Sequence, residues 1–182
     1  MIKPKRQKKC QNCGTLFTPF NTIEKWCSPS CGYAIHLKNE AKKERKKSYL
    51  RKQALKSRND WIKDAQVWVN KFIRARDIAA GLPCVSCGKY NVGQMHAGHY
   101  RATSISPSIR FHHENIWLQC AQCNLYKHGN LIEYRIELIK RIGLSRVEWL
   151  EEEHPPSKWT IEELQNIINI HKKLYNELKN KI

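Results

Sequence analysis

Eight cysteines in four close pairs constrain this chain more than any other sequence feature. The first group is Cys10, Cys13, Cys27 and Cys31, and the second is Cys84, Cys87, Cys120 and Cys123. Each pair turns two thiolates and nearby backbone N–H groups toward one point, so two pairs complete a tetrahedral sulfur shell that suits zinc. The spacing therefore predicts two structural zinc sites and favours them over redox chemistry or chance clustering.

The residues around the cysteines support the same interpretation. Gly14, Gly32 and Gly88 each follow a cysteine, where a tight turn favours positive φ. Metal binding would also explain how a first module as short as residues 1–35 can be stable, because coordination supplies folding free energy.

The chain is strongly basic, and its charge is concentrated toward the N-terminus. It has 182 residues, enough for one or two small domains, with 33 Lys and Arg against 16 Asp and Glu and a formal charge of +17. A run without Gly or Pro between His36 and Arg58 predicts a helix whose self-repulsion phosphates would relieve. A solvated, partly disordered linker that orders on DNA is compatible with the same run. The candidate DNA contacts in this run are Lys42, Lys43, Arg45, Lys46, Lys47, Arg51 and Lys52.

Two classes of protein are excluded by the apolar pattern. No apolar run approaches the roughly 18 residues of a membrane span. The basic N-terminus is not followed by an apolar stretch, so it does not read as a secretory signal. We therefore expect a cytoplasmic protein that meets no membrane, in which eight cysteines indicate metal binding or catalysis and not disulfides.

The pattern predicts a small, zinc-stabilised α+β protein with three parts: a zinc module at 1–35, a basic helical connector at 36–58 and a domain at 59–182. Helices are expected over about 59–80, capped by Asn59 or Asp60, over 131–142 and over about 146–153. Thr160 and Glu163 predict a capping box before a last amphipathic helix.

The segment between the second two cysteine pairs carries the chemistry. Two strand-like runs, around His96–Tyr100 and Asn115–Gln119, lead into Cys120-Ala-Gln-Cys123 and a helix start. The order His, Asn-x4-Cys-x2-Cys-Asn-x2-Lys resembles the HNH, or ββα-metal, nuclease motif over about residues 84–128. The resemblance implies a treble-clef ββα core with a catalytic Mg²⁺ or Mn²⁺ separate from zinc.

The wider chain resembles a narrower family. Trp26-Cys27-Ser28-Pro29, Ala97-Gly98-His99-Tyr100, Cys123-Asn124 and Trp159-Thr160-Ile161-Glu162-Glu163 are similar to the lambdoid phage NinG/Rap recombination proteins nearly end to end. This resemblance implies a phage- or prophage-encoded, structure-specific endonuclease that cuts Holliday junctions and D-loops inside the bacterial host cell.

The HNH resemblance assigns a role to four residues. His99 matches the general base, and Asn115 matches the Asn that ties the strand-connecting loop and holds the base in place. Asn124 matches a ligand of the catalytic ion, and Lys127 could contact the phosphate near the cut. For His99 and Asn115 a purely structural role is the alternative. Two loop arginines, Arg101 and Arg110, are further candidate phosphate contacts.

One departure from the HNH pattern bears on the metal. Many members carry an acidic ligand immediately before the catalytic His, and here Gly98 stands there. His96 shares a strand face with position 98 and could reach the ion instead, which would shift preference from Mg²⁺ toward Mn²⁺. The other donors that could replace the carboxylate are His112, His113, Glu114 and His128.

Two competing functions remain open at this point. The first is a non-catalytic, zinc-dependent DNA-binding protein that assists recombination, with the HNH insert decayed at Gly98. The second is a sequence-specific endonuclease, although no base-reading element is evident. Because cutting both sides of a branch calls for two active sites, a homodimer is expected, with the C-terminal helices as its contact.

Overall fold

The computed structural model describes residues 7–90 and 92–180 of an α+β chain that divides into two compact units, Met1–Lys56 and Ser57–Ile182. The first six residues of the predicted 1–35 module, and Asn91 and the last two residues of the predicted 59–182 domain, lie outside the described residues. Each unit contains one complete cysteine group. Among the described helices, none is long and apolar enough to cross a membrane.

Within residues 7–56, the first unit forms a small hairpin and one long helix. Strand β1 (Lys8–Lys9) pairs antiparallel with β2 (Leu16–Phe17), and helix α1 follows at Pro29–Ala54. Ser28 caps α1 by accepting a hydrogen bond from the Cys31 N–H. The helix thus carries both the end of the first cysteine group and most of the basic segment, and none of its residues is buried.

Two of the three glycines beside cysteines have the conformation that the sequence predicts. Gly14 has φ +77° and Gly88 has φ +66°, which L side chains rarely adopt. The prediction is wrong for Gly32, which lies in the first turn of α1. A Cβ at Gly32 would stand 3.2 Å from the Trp26 indole, so close packing against that ring explains this glycine.

The described residues of the second unit form two strands and four α-helices. Its helices are α2 (Arg58–Ala79), α3 (Leu131–Ile142), α4 (Leu144–Glu151) and α5 (Ile161–Lys179). Its strands β3 (Met95–His99) and β4 (Ile116–Cys120) pair antiparallel, with His99 opposite Ile116 and His96 opposite Gln119. Two 3₁₀ turns, at Pro107–Ile109 and His113–Asn115, precede β4, and a π-helical turn, Gln122–Tyr126, follows it.

The helix boundaries follow local capping chemistry, with two corrections. Helix α4 spans Leu144–Glu151, two residues earlier than the predicted 146–153. The capping box of α5 is confirmed, because Thr160 accepts from the Glu163 N–H while the Glu163 carboxylate accepts in return. The predicted cap of α2 is wrong: Ser57 is the N-cap and Asp60 is its reciprocal partner three residues later. The helix therefore begins one residue earlier than the predicted 59–80 range.

Two apolar clusters pack in the second unit, and the two-stranded sheet contributes to both. One cluster joins α2, α5 and the sheet and includes Val69, Ile116 and Leu164. The other joins α3 and α4 to the sheet, and Trp117 packs against it. Ile116 and Trp117 are neighbours on β4, so their side chains point to opposite faces, as strand geometry requires. The apolar stripe of α5 is thereby covered within the chain.

A buried carboxylate fixes α2 against β4. Asp77, which is fully buried, accepts hydrogen bonds from the Leu118 backbone N–H at 2.7 Å and from the Arg76 guanidinium at 2.6 Å. Arg76 also donates to the Ile116 carbonyl at 3.2 Å. Because a buried charge is tolerated only when paired and hydrogen-bonded, this contact sets the register of the helix on the strand.

Candidate functional site

The first cysteine group has the geometry of a four-sulfur metal site. The Cys13 and Cys27 sulfurs are 3.5 Å apart, and those of Cys27 and Cys31 are 3.7 Å apart. A tetrahedron with Zn–S bonds of about 2.3 Å has edges of about 3.8 Å. The first group can therefore hold a zinc ion with little change in side-chain positions.

The second cysteine group joins a turn that follows α2 to the end of β4. The sulfurs of Cys87 and Cys120 are 3.9 Å apart, again close to a tetrahedral edge. Backbone N–H groups point at the sulfurs, from Cys120 to Cys84 at 3.3 Å and from Cys123 to Cys120 at 3.5 Å. In each group the four ligand atoms lie within 4.8 Å of one another, so this group too can hold zinc.

The surroundings of the cysteines shift the pKa values of their thiols in both directions. Hydrogen bonds from backbone N–H groups, that of Cys13 first, lower the pKa of Cys10 to about 6. The neighbouring Cys13 thiol raises the pKa of Cys27 to about 12, and burial raises that of Cys123 to about 12. Four sulfurs this close cannot all ionise unless a cation compensates their charge.

The imidazole of His99, at the end of β3, is held in one tautomer. Its Nε2 lies 3.0 Å from the Arg110 carbonyl oxygen. A carbonyl can only accept, so Nε2 carries the hydrogen and Nδ1 keeps its lone pair. Burial lowers the pKa of His99, which leaves the ring neutral at pH 7. Nδ1 is therefore the ring atom that can accept a proton.

Asn115 ties the loop that carries this carbonyl to the end of β3. Its Oδ1 accepts from the Arg101 N–H at 2.7 Å, and its Nδ2 donates to the carbonyls of Arg101 and Ile109 at 3.2 and 3.3 Å. Ile109 directly precedes Arg110, whose carbonyl binds His99. The fully buried Asn115 amide thus holds His99 through the loop backbone, without touching the ring.

Asn124 and His96 contact each other, but of the two only Asn124 lines a cleft together with His99. Asn124 lies in the π-helical turn after Cys123, and its Nδ2 is 3.1 Å from Nδ1 of His96. An amide nitrogen can only donate, so His96 accepts, and the Asn124 Oδ1 is the atom left to bind a ligand. Asn124 and His99 line the same cleft of about 360 Å³, hereafter the His99 cleft, together with Arg101 and His128.

Gly98 faces a space that another side chain already fills. A Cβ at this position would stand 2.1 Å from Oε1 of Gln119. Gln119 is fully buried, and its Nε2 donates to Ser86 Oγ and to the Gly129 carbonyl, both at 2.6 Å. The structure therefore leaves no room for a carboxylate at position 98. The sequence alone could not show this, because Gln119 reaches Gly98 only across the sheet.

Several predicted site residues lie away from the His99 cleft. Lys127 is exposed and lines a different cleft, beside Cys87 and Glu133. Arg110 is half-buried and contributes its carbonyl to His99, whereas burial lowers the pKa of its guanidinium. The seven cationic candidates of the basic segment all lie exposed on α1, in the first unit.

The four donors that could replace the missing carboxylate also differ in whether they line the His99 cleft. Of these four described side chains, only His128 lines the His99 cleft. Glu114 is ion-paired with Arg146 at 2.6 Å, and His113 contacts His171 with 2.7 Å between the two Nε2 atoms. Glu114 and His113 therefore make polar contacts elsewhere in the second unit.

The fold and its two cysteine groups define a small α+β protein with two sites suited to zinc. The chain belongs to the family described as Bacteriophage Lambda NinG protein, which it matches over residues 1–181. It is 42% identical to Protein ninG of Escherichia phage lambda over 200 residues, covering 99% of this chain and 97% of that protein.

Other phages carry similar proteins. Protein ninG of Escherichia phage 933W is 40% identical over 198 residues, with 99% of this chain and 97% of that protein covered. Protein ninG of Salmonella phage P22 is 41% identical over 181 residues, with 88% of each covered. No solved structure matches the chain significantly.

Proposed function

We propose that this protein is a metal-dependent endonuclease with an HNH-like core that cuts branched recombination intermediates of DNA. The observation that carries the proposal is the His99 imidazole, which is neutral, fixed at Nε2 by the Arg110 carbonyl and placed in one cleft with Asn124. This is the arrangement that a general base requires: a defined tautomer, a free acceptor atom and a pKa at or below neutrality.

The proposed reaction is hydrolysis of a phosphodiester. Nδ1 of His99 accepts a proton from water, the water oxygen bonds to phosphorus, and the bond from phosphorus to the leaving 3′ oxygen breaks. That oxygen then takes a proton from solvent. A bound divalent ion supplies Lewis-acid stabilisation of the charge on the leaving oxygen. Asn124 would hold this ion through Oδ1. In the structure the lone pair of His96 Nδ1 accepts from Asn124, so His96 would join the ion only by giving up this contact, and a nitrogen donor would then favour Mn²⁺ over Mg²⁺.

Zinc in the second cysteine group would hold this pocket in shape. Cys120 ends β4, and Cys123 directly precedes Asn124 in the π-helical turn. A metal that joins these residues to the Cys84 turn fixes the strand and the turn relative to each other. In this proposal β3, β4 and the π-helical turn form the ββα unit, and the zinc is structural.

The branched substrate is what the resemblance to the NinG/Rap recombination proteins implies, and the charge of the chain agrees with binding to DNA of any sequence. The exposed cations of α1 fit phosphates, which fix a protein on DNA without carrying sequence information. Branch resolution by a homodimer in the bacterial host cytoplasm belongs to this proposal. The apolar stripe of α5 packs against α2, so a dimer contact would use another surface.

A cleavage assay on four-way, three-stranded and linear DNA tests the activity. We expect His99→Ala to lower cleavage of branched DNA by about 10²–10⁴-fold, the usual contribution of a general base, while binding persists. Titrating Mg²⁺ and Mn²⁺ with His96→Ala tests the ion, and unchanged metal dependence would remove His96 from the ligand set. Equal cleavage of linear and branched DNA would contradict the branch preference.

A non-catalytic DNA-binding accessory protein is the second candidate. It is favoured by Gly98, because Gln119 occupies the space that an acidic ligand would need. Junction binding without cleavage in any divalent ion, by wild type and His99→Ala alike, would establish this function in place of the nuclease.

A further inference from the structure

A second cleft in the same unit lies beside α2 and takes no part in the role of His99 described above. Asn70, Lys71 and Arg74 of α2 form one side of it, and His96 and Asn124 contribute to the other. The volume is about 280 Å³. None of the described residues that line this α2 cleft carries a carboxylate, so its charge is positive.

The α2 cleft adjoins the His99 cleft. Asn124 and Ala97 line both, so a strand that places one phosphate at His99 would bring a neighbouring phosphate of the same backbone to the α2 cleft. The Oδ1 of Asn70 accepts from Gln66 Nε2 at 2.8 Å, which leaves its Nδ2 as the group that can bind a ligand. This amide and the two cations supply the N–H groups and positive charge that phosphate oxygens accept.

The cations stand on a rigid element. Val69 and Ile73, which lie two residues before and two residues after Lys71 on α2, are fully buried, and Asp77 fixes the end of the helix on the Leu118 backbone. The Lys71 ammonium lies 4.4 Å from the centre of the Trp68 ring, which directs the Lys71 side chain along the helix surface. A site on such a helix is better positioned than one on a mobile loop.

We infer that the α2 cleft is a phosphate subsite, in which Lys71 and Arg74 bind the DNA phosphate next to the one that faces His99. This inference rests on the proposed function for the identity of the second phosphate, and it concerns binding, not chemistry. If so, Lys71 and Arg74 fix the position of the DNA strand along Asn124, so that the phosphodiester bond to be cut lies at His99.

The test uses the full-length, zinc-loaded protein with the double variant Lys71→Gln and Arg74→Gln. Its matched control is Lys158→Gln and Lys173→Gln, two exposed lysines that do not line the α2 cleft. Binding to a four-way DNA junction is measured without divalent ions between about 50 and 200 mM salt. We expect the slope of log K against log salt to fall by about 1 per cation removed in the cleft variant only.

A second measurement locates the phosphate. Neutral methylphosphonate linkages are placed one at a time around the cut, and we expect the neighbouring linkage to slow cleavage by wild type but not by the cleft variant. In the Lys71→Gln background, Arg74→Lys should keep a steeper salt slope than Arg74→Gln, because lysine retains the positive charge. An unchanged slope, or an equal fall in the control variant, overturns the subsite. If no DNA is cut but only the cleft variant loses slope, the nuclease proposal fails and the subsite stands.

Discussion

At the scale of single residues, the candidate base is controlled by backbone contacts that begin far from it in the sequence. Asn115 binds the Ile109 carbonyl, and the next carbonyl, that of Arg110, binds Nε2 of His99. The resemblance placed Asn115 in such a role, but the partner atoms emerge only when the loop is folded. A buried amide that satisfies several backbone groups is costly to replace, since each abandoned group loses a hydrogen bond.

Gly98 gives a prediction at this scale. We expect Gly98→Ala to destabilise the protein by about 1–3 kcal/mol, the usual cost of overpacking, because the new Cβ meets Oε1 of Gln119. The midpoint and slope of urea unfolding measure this free energy.

The control is the same change in a Gln119→Ala background. There the obstructing amide is absent, so Gly98→Ala should cost less than in wild type, and a double-mutant cycle isolates the difference. Equal costs in both backgrounds would contradict steric contact with Gln119. By the same reasoning, Gly98→Asp should not create an additional metal ligand.

At the scale of elements, what could be predicted from the sequence was mostly local. The capping box of Thr160 and Glu163 predicted the start of α5, and the predicted range 131–142 matches α3, which ends before Gly143, because such signals act within one helical turn. The cap of α2 was misassigned, since Ser57 and Asp60 both suit a cap and only the folded backbone distinguishes them. The Asp77–Leu118 contact and the α2 cleft were missed because they join residues distant in sequence.

The contact of α5 with the loop before β4 gives a prediction at this scale. His171 donates from Nδ1 to the Ile167 carbonyl at 2.7 Å, so its Nε2 accepts from His113. Burial lowers the pKa of His113 to about 4, and burial also lowers that of His171. Both rings are therefore neutral in the folded protein, whereas an unfolded chain protonates histidine near pH 6.5.

The sign of the pH dependence follows from these pKa values. Between about pH 6.5 and 4 the unfolded chain binds protons that the folded pair does not, so the free energy of unfolding falls as the pH drops through this window. Thermal melting from pH 7 to pH 4 should show a smaller loss in His113→Gln/His171→Gln than in wild type. His36→Gln, on the exposed surface of α1, is the control and should follow wild type.

At the scale of the whole molecule, the two cysteine groups divide between the two units, and each unit has contacts of its own. The described part of the first unit has a two-strand hairpin and a helix with no buried residues, so bound metal would be the main source of its stability. The second unit has two apolar clusters in addition to its cysteines. Loss of metal should therefore affect the two units unequally.

The last prediction tests this inequality with Cys10→Ser and Cys84→Ser. Each variant should retain one zinc of the two that wild type can hold, measured by metal release. Trp26 is the single tryptophan of residues 1–56, so tryptophan fluorescence chiefly reports the second unit. We expect Cys10→Ser to leave the thermal transition of this fluorescence nearly unchanged and Cys84→Ser to lower it. The prediction is wrong if Cys10→Ser and Cys84→Ser show the same thermal transition, or if either variant loses both metals. The two cysteine groups would then fold as one cooperative unit, and the hairpin would stabilise the second unit.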